Sequence, residues 1–293
     1  MGQELTRRLD AKGGLWSAQA LVDAPDTVAA VHREFIDAGA RVILTNTYST
    51  IPSYFAKAGI TDEYLAYARL AGEIARKVAD EESQARQIDI QVMGSIPPLD
   101  ESYRHDLVPP DDVSRVIYGE LVNVLTPFVD GFVCETMSCI RESINAVASV
   151  RNTNAELPCW VAWTLHESAG GGLRSGESIT QAYQALTPFD VQAYLFNCTS
   201  LEAITAAMPE LKALTEKPIG AYPNRLIIPE GWTLDNPVSA GGRDMSANEF
   251  IAASNDWRQA GATIVGGCCG VGPDLIAALA SSLTSSLTSK GDA

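Results

Sequence analysis

Near the carboxyl end of the chain, a short apolar run leads directly into two adjacent cysteines: Ala262-Thr263-Ile264-Val265-Gly266-Gly267-Cys268-Cys269-Gly270. The β-branched residues at its start favour a buried strand, and the glycines on both sides of the cysteines permit a tight backbone turn. A second run, Tyr194-Leu195-Phe196-Asn197-Cys198, also ends on a cysteine. Each run therefore predicts a strand that carries thiols at its carboxyl end.

Three thiols at strand ends suit a metal ion. Adjacent cysteines can hardly bond to each other without strain, but both can direct thiolates at one ion. Three thiolates leave one position of a tetrahedral zinc open, as a catalytic zinc site requires. The sequence therefore predicts a Zn²⁺ site formed by Cys198, Cys268 and Cys269.

Two other interpretations of these cysteines stay open. Free cysteines are often small buried hydrophobic residues, and two thiols can form a redox pair, although such a pair is normally spaced Cys-x-x-Cys. We favour the metal site because glycines flank the adjacent pair. For Cys134, Cys139 and Cys159, which lie in a strand, on a helix and at a strand start, we predict structural packing.

Outward from these runs, short segments rich in Val, Ile and Ala alternate with longer amphipathic segments. This alternation is typical of parallel strands joined by crossover helices. Strands are predicted at 41–46, 88–94, 130–135, 159–164, 191–197, 218–222 and 262–267, and helices at 26–38, 61–80, 111–127, 140–151, 200–215 and 246–259. Ser200 and Ser246 are predicted helix caps. We therefore predict the α/β class and a (β/α)8 TIM barrel.

The predicted strands number seven, whereas a closed barrel of this type needs eight. The deficit lies at the front, where Met1-Gly2-Gln3-Glu4-Leu5 already resembles the loop and helix after a strand. We expect the first strand to be missing or truncated at the amino terminus. We predict one barrel domain over residues 1–280 and a disordered, Ser/Thr-rich tail over 281–293.

Long loops follow three of the predicted strands, at 97–112, 166–178 and 223–245. Barrel enzymes place their chemistry on the face where the strands end, so these loops predict a covered active site there.

Composition narrows the choice of partner. The chain has 293 residues and a net charge of -15, which argues against nucleic acid or an anionic membrane as the main partner. No apolar stretch is long enough to span a membrane, and six cysteines in a chain of this length do not form a disulfide scaffold. We predict a cytoplasmic protein with reduced thiols that acts on small molecules, and the sequence leaves its oligomeric state open.

The cysteine runs belong to a wider set of segments that resembles the zinc-dependent homocysteine S-methyltransferases over nearly the whole chain. The similar segments are Leu15-Trp16-Ser17-Ala18, His32 to Thr47 with Thr45-Asn46-Thr47-Tyr48 at its end, Gly94-Ser95, Cys134-Glu135-Thr136, Asn197-Cys198-Thr199, Tyr222-Pro223-Asn224 and 266–270. The resemblance implies a zinc-dependent barrel that methylates the sulfur of homocysteine and gives methionine.

The resemblance also implies roles for single residues. Glu135 would hold the substrate ammonium group, with a rim carboxylate as the alternative, and Asn224 would occupy the fourth zinc position without substrate, unless it only shapes a turn. Thr45, Asn46 and Ser95 would contact substrate, although satisfied polar groups at strand ends are an equal alternative. The family has Asp-Gly-Gly directly ahead of the segment matching Met1-Gly2, and its aspartate helps to hold the amine. This chain lacks it, so we expect amine binding and closure of the first strand to be affected.

For the methyl donor, the resemblance gives an order of preference. It has no folate or cobalamin domain and no long carboxyl-terminal extension of the kind that betaine-dependent relatives carry, so the resemblance favours S-methylmethionine first and S-adenosylmethionine or another sulfonium next. Two alternatives stay open: betaine-type transfer in the same fold, and a non-catalytic zinc- or thiol-binding barrel impaired by amino-terminal truncation.

Overall fold

The computed structural model describes residues 1–9, 15–60, 62–229, 231–233 and 241–291. Its strands are β1 (Val42–Leu44), β2 (Gln91–Ile96), β3 (Gly131–Met137), β4 (Cys159–Trp163), β5 (Ala193–Asn197), β6 (Ile219–Tyr222), β7 (Leu226–Ile227), β8 (Gly241–Gly242) and β9 (Ile264–Val265). Seven of them form one parallel sheet in the order β1-β2-β3-β4-β5-β6-β9. Each of the seven predicted strand segments overlaps one of these strands. The curled parallel sheet confirms the predicted α/β class and the barrel-like architecture.

Helices join and cover the strands. They are α1 (Gly2–Leu9), α2 (Gln19–Asp23), α3 (Pro25–Asp37), α4 (Pro52–Lys57), α5 (Tyr64–Arg86), α6 (Asp111–Leu125), α7 (Ile140–Thr153), α8 (Ile179–Leu186), α9 (Leu201–Leu214), α10 (Ala247–Gln259) and α11 (Pro273–Gly291). Ser200 and Ser246 cap α9 and α10 as predicted, each accepting a hydrogen bond from a backbone amide of the first turn. The sequence analysis missed α2, α4, α8 and α11.

The hydrophobic core has two layers, because successive side chains of a strand point to opposite faces of the sheet. In β3, Phe132 and Cys134 pack into the large cluster between sheet and helices. Val133, between them in sequence, belongs instead to a small cluster inside the curl of the sheet, with Met93, Ala162, Ala193 and Leu195. The polar residues that follow the strands therefore sit above a packed interior rather than above an open pore.

Within the described residues the sheet has seven strands, with β1 and β9 at the two ends of its order. This agrees with the expected lack of a first strand. The inward residues of the end strands, among them Val42 and Ile264, are half-buried, as is Trp160 of β4, whereas the residues of the small cluster itself are buried. The described residues therefore form the seven parallel strands that the sequence predicts.

The last helix includes most of the predicted tail. α11 runs to Gly291, and its Leu275 and Leu279 are buried against Met245 and Phe250. Leu283, four residues beyond Leu279 on the same face, packs against the same cluster and extends the helix past residue 280. The division of the chain at residue 280 stays a prediction. Within the described ranges, no helix combines the length and the apolar character that crossing a membrane requires.

A buried acid at the start of α7 was missed by the sequence analysis. The Glu142 carboxylate accepts hydrogen bonds from the Ser138 amide and hydroxyl at 2.6 and 2.8 Å. Burial raises the pKa of Glu142 from 4.5 to about 7. Between these pH values the folded chain keeps a proton that the unfolded chain releases, so the free energy of unfolding must fall as pH rises.

We expect Glu142→Gln to flatten this dependence. The variant should lose about 3 kcal/mol less of its free energy of unfolding than the parent between about pH 5 and about pH 8. Urea unfolding at the two pH values measures the difference, and it does so even if the substitution changes the absolute stability. Equal pH slopes for parent and variant would contradict the raised pKa.

Candidate metal centre

The fold brings the three predicted ligand cysteines together. Cys198 follows β5 directly, and Cys268 and Cys269 follow β9 after two glycines. The Sγ atoms of the three residues lie within 4.8 Å of one another, with 3.0 Å between Cys198 and Cys268 and 3.9 Å between Cys198 and Cys269. Among the residues that the structure describes, these three cysteines are the one group of His, Cys, Asp or Glu side chains whose ligand atoms lie close enough together to hold a metal ion.

These distances suit a tetrahedral zinc. With Zn–S bonds of about 2.3 Å, sulfurs at the corners of a tetrahedron lie about 3.8 Å apart. The separation of Cys198 and Cys269 matches this value, and that of Cys198 and Cys268 needs only a small opening. The residues present therefore fit a zinc ion.

Backbone contacts between strand ends hold the ligand loops in place. The amide of Cys268 donates to the carbonyl of Pro223 at 2.8 Å, and the amide of Cys198 donates to that of Tyr222 at 3.1 Å. Cys198 itself has φ +52, a left-handed conformation that is uncommon for a residue with a side chain. At Gly267 a Cβ would lie 2.1 Å from Cγ1 of Val271, so only glycine fits directly before the cysteine pair.

The electrostatics of the cluster also favour a cation. A hydrogen bond from Cys198 holds the pKa of the Cys269 thiol well below its ordinary value. The pKa of Cys268 is raised, chiefly by its hydrogen bond to Cys198. Neighbouring thiols of this kind cannot all be charged in a buried site by themselves, because like charges disfavour one another. A bound divalent cation offsets the repulsion between the thiolates, so that all three cysteines can be ionised together.

Asn224 adjoins the cluster. Its side chain is fully buried, and its Nδ2 lies 3.7 Å from Sγ of Cys198. Its Oδ1 accepts a weak hydrogen bond from the amide of Leu226 at 3.4 Å. In this orientation the amide nitrogen faces the sulfur, so ligation through Oδ1 requires rotation of the side-chain amide. The role of Asn224 as a fourth ligand stays a prediction.

Glu135 lies in the buried part of β3, near the cysteines. Ser95 Oγ donates a short hydrogen bond to its Oε1, and the hydroxyl of Tyr222 lies 3.4 Å from its Oε2. Burial raises the pKa of Glu135 to about 7, and the charge of Cys198 adds to the shift. A buried carboxyl with few partners is a favourable place for a substrate cation, which would stabilise its ionised form.

The irregular end of β3 after Glu135 is fixed from the end of β5, two strands away in the sheet. Thr136 adopts φ +60, and its amide donates to Oδ1 of Asn197 at 2.8 Å. Asn197 Nδ2 returns a hydrogen bond to Oγ1 of Thr136, also at 2.8 Å. Asn197, which directly precedes the predicted ligand Cys198, thus holds the end of β3 next to Glu135.

The other predicted substrate contacts are buried strand-end groups. Thr45 Oγ1 lies 2.8 Å from Oγ1 of Thr47 and accepts the amide of Ser95 at 3.0 Å. Asn46 Nδ2 donates to the carbonyl of Ser17 at 3.0 Å. These bonds agree with the structural alternative for Thr45 and Asn46, whereas Ser95 directs its hydroxyl at Glu135. Their contact with substrate stays a prediction.

Aromatic side chains around the sulfurs were not predicted as site residues. The hydroxyl of Tyr103 lies 2.9 Å from Sγ of Cys198, and Trp232 packs against this part of the site. Tyr48 is half-buried, and loss of solvent, with the charges of Cys198 and Glu135, raises its pKa well above the ordinary value. Tyr103 and Trp232 come from the long loops 97–112 and 223–245, so loop length was the signal that pointed to them.

The remaining cysteines lie apart from the centre. Cys134 and Cys159 face each other at 4.0 Å within the core, and Cys139 is buried at the start of α7. Their burial agrees with the predicted packing role. His32, another buried group, has its pKa lowered to about 3 by burial and lies on α3.

Comparison with known proteins identifies one family. The sequence model of the family described as homocysteine S-methyltransferase matches residues 1–283. Homocysteine S-methyltransferase from Escherichia coli is 29% identical over 94% of this chain and 92% of its own length. Homocysteine S-methyltransferase YbgG from Bacillus subtilis is 26% identical over 96% and 91%, and selenocysteine methyltransferase from Astragalus bisulcatus is 29% identical over 94% and 88%.

Solved structures agree in fold. The metallated form of the homocysteine methyltransferase MmuM from Escherichia coli superimposes with a TM-score of 0.80 and is 28% identical. The alignment covers 96% of this chain and 93% of that one. The similarity therefore extends over the sheet, the helices and the segments that carry the three cysteines.

Proposed function

Because the chain belongs to the homocysteine S-methyltransferase family, we propose that it moves a methyl group from a sulfonium donor to the sulfur of homocysteine, with Zn²⁺ as cofactor. The observation that carries the proposal is the convergence of the three Sγ atoms of Cys198, Cys268 and Cys269 within 4.8 Å at the carboxyl edge of the sheet. Three protein thiolates leave one tetrahedral position for a substrate sulfur.

When bound here, Zn²⁺ supplies a Lewis acid that keeps a substrate thiol deprotonated and nucleophilic near neutral pH. The three cysteines hold the ion. Tyr103, Ile228 and Trp232 pack around the sulfurs and limit the access of water. In the transfer, the homocysteine sulfur forms a bond to the methyl carbon while the donor sulfonium loses that bond and leaves as a neutral thioether. The thiol proton goes to solvent.

Glu135 is the residue that we assign to the substrate ammonium group. Its two oxygens face Ser95 and Tyr222, which orient the carboxylate. A buried carboxylate attracts an ammonium group strongly, because little water screens the pair. Thr45, Asn46 and Ser95 stay candidate contacts next to it, and Asn224 stays the candidate ligand of the substrate-free ion.

A sulfonium donor suits the surroundings of the site. Donor cations are attracted by aromatic faces and by negative charge. Trp16 and Tyr48 form an edge contact at 6.2 Å, and Tyr103 and Trp232 another at 5.9 Å. These rings suit a cationic donor, and on the family resemblance we propose S-methylmethionine as the first donor and S-adenosylmethionine as the second. We assign the reaction to the cytoplasm, because the six cysteines are free and a thiolate centre needs a reducing compartment.

Methionine formation tests the proposal. The zinc-loaded protein should produce methionine from homocysteine and S-methylmethionine, with two methionines formed for each donor consumed. S-adenosylmethionine and betaine are supplied in parallel reactions. Transfer from betaine alone would overturn the sulfonium assignment, and bound zinc without transfer from any donor would favour a non-catalytic binding protein.

A further inference from the structure

One tyrosine from a covering loop reaches the metal ligands. Tyr103 lies in the segment between β2 and α6, and its hydroxyl is 2.9 Å from Sγ of Cys198. The side chain is buried, and its backbone has φ +68. A left-handed conformation is unfavourable for a tyrosine, so other contacts must hold the residue there.

Two further loops supply those contacts. The guanidinium carbon of Arg174 lies 4.9 Å from the centroid of the Tyr103 ring, and Trp232 packs against the ring edge-on at 5.9 Å. Arg174 is itself paired with Glu167 at 3.1 Å, and Glu167 also pairs with Arg243 at 3.1 Å. The ring of Tyr103 is therefore clamped by residues of the loops 166–178 and 223–245.

The direction of the hydrogen bond follows from the chemistry of the ligand. A cysteine that binds a metal ion does so as a thiolate and carries no proton. The phenol of tyrosine keeps its proton at neutral pH, so it is the hydroxyl that donates to the sulfur. A donor of this kind stabilises negative charge on the sulfur and fixes its direction, as the outer partners of metal ligands generally do.

We propose that Tyr103 is a positioning residue of the metal centre, which acts by donating a hydrogen bond to the Cys198 thiolate. This inference rests on the proposed zinc site. It also connects the covering loops to the metal centre, because the same ring that reaches the sulfur is held by Arg174 and Trp232.

Tyr103→Phe tests the role of the hydroxyl, because it keeps the ring and its contacts. Tyr118→Phe is the matched control: Tyr118 is a buried tyrosine on α6, and the ionisable groups that affect its pKa are Glu142, Cys134 and Cys139 rather than the metal ligands. Both variants and the parent are loaded with Co²⁺, and the sulfur-to-metal charge-transfer band is recorded. Zinc affinity is measured by competition with a chelator.

In Tyr103→Phe the charge-transfer band should move to lower energy, because a sulfur that loses its hydrogen bond donates electrons more readily. Zinc affinity should fall by about tenfold, the lower end of the range for outer partners of metal ligands. Tyr118→Phe should match the parent in both readouts. An unchanged band and affinity in Tyr103→Phe, or equal changes in both variants, would overturn the inference. A parent protein that binds neither ion would instead refute the zinc site itself.

Discussion

Replacement of Cys268 or Cys269 by serine is expected to remove most of the bound zinc and, with it, methyl transfer. A serine hydroxyl is a harder and weaker ligand than a thiolate, and it does not ionise at neutral pH. The loss of activity should exceed the roughly 10–100-fold effect that follows when only an outer partner of a metal ligand is changed. Zinc content by elemental analysis and methionine formation by the same samples measure the two effects.

The chain provides a matched control in Cys139→Ser. Cys139 is the cap residue of α7, a position at which serine is favoured, and burial raises the pKa of its thiol to about 11. This variant should keep both its zinc and its activity. If Cys268→Ser and Cys269→Ser each retained one zinc per chain, the assignment of the ligands would be wrong.

Glu135→Gln should raise the concentration of homocysteine needed for half-maximal rate and leave zinc in place. The substitution keeps the size of the side chain and removes the charge that faces the substrate ammonium group. Loss of one partner of a buried, hydrogen-bonded charge pair costs about 2–5 kcal/mol, which corresponds to a roughly 30-fold or larger increase. Steady-state kinetics and zinc analysis on the same preparation separate binding from metal loss.

Glu142→Gln is the control for this experiment, because Glu142 is the second buried carboxyl whose pKa burial raises to about 7. It lies at the start of α7 and bonds to Ser138, away from the cysteine cluster. Homocysteine dependence should stay at the parental value in this variant. An unchanged homocysteine dependence in Glu135→Gln would contradict the proposed ammonium contact.

The strands and the metal ligands could be predicted because both depend on local pattern. Runs such as Tyr194 to Asn197 and Ala262 to Val265 are apolar and short, which is typical of strands buried on both faces. A cysteine that follows such a strand must lie at its carboxyl end. All parallel strands of one sheet end at the same edge, so Cys198 and the pair 268–269 could be placed together without coordinates.

The course of the chain beyond residue 280 was harder to predict. The Ser/Thr-rich composition indicated a tail, whereas α11 continues to Gly291 with Leu275 and Leu279 buried against neighbouring helix α10 and the segment before it. The short strands β7 and β8 were missed within the loop 223–245, because two-residue strands carry no periodic pattern.

The contacts that set the properties of the centre depend on the tertiary structure alone. Tyr103 and Cys198 are 95 positions apart in sequence, and nothing in the pattern around either residue indicates their hydrogen bond. The pKa of Glu135 depends likewise on burial by residues from other strands. The sequence by itself determined which strands exist and which sulfurs meet at their ends, since strand propensity and alternation are local. The hydrogen bonds and the loss of solvent at those ends were decided by the folded chain, because they arise between side chains that only the packing of distant segments brings within a few ångströms.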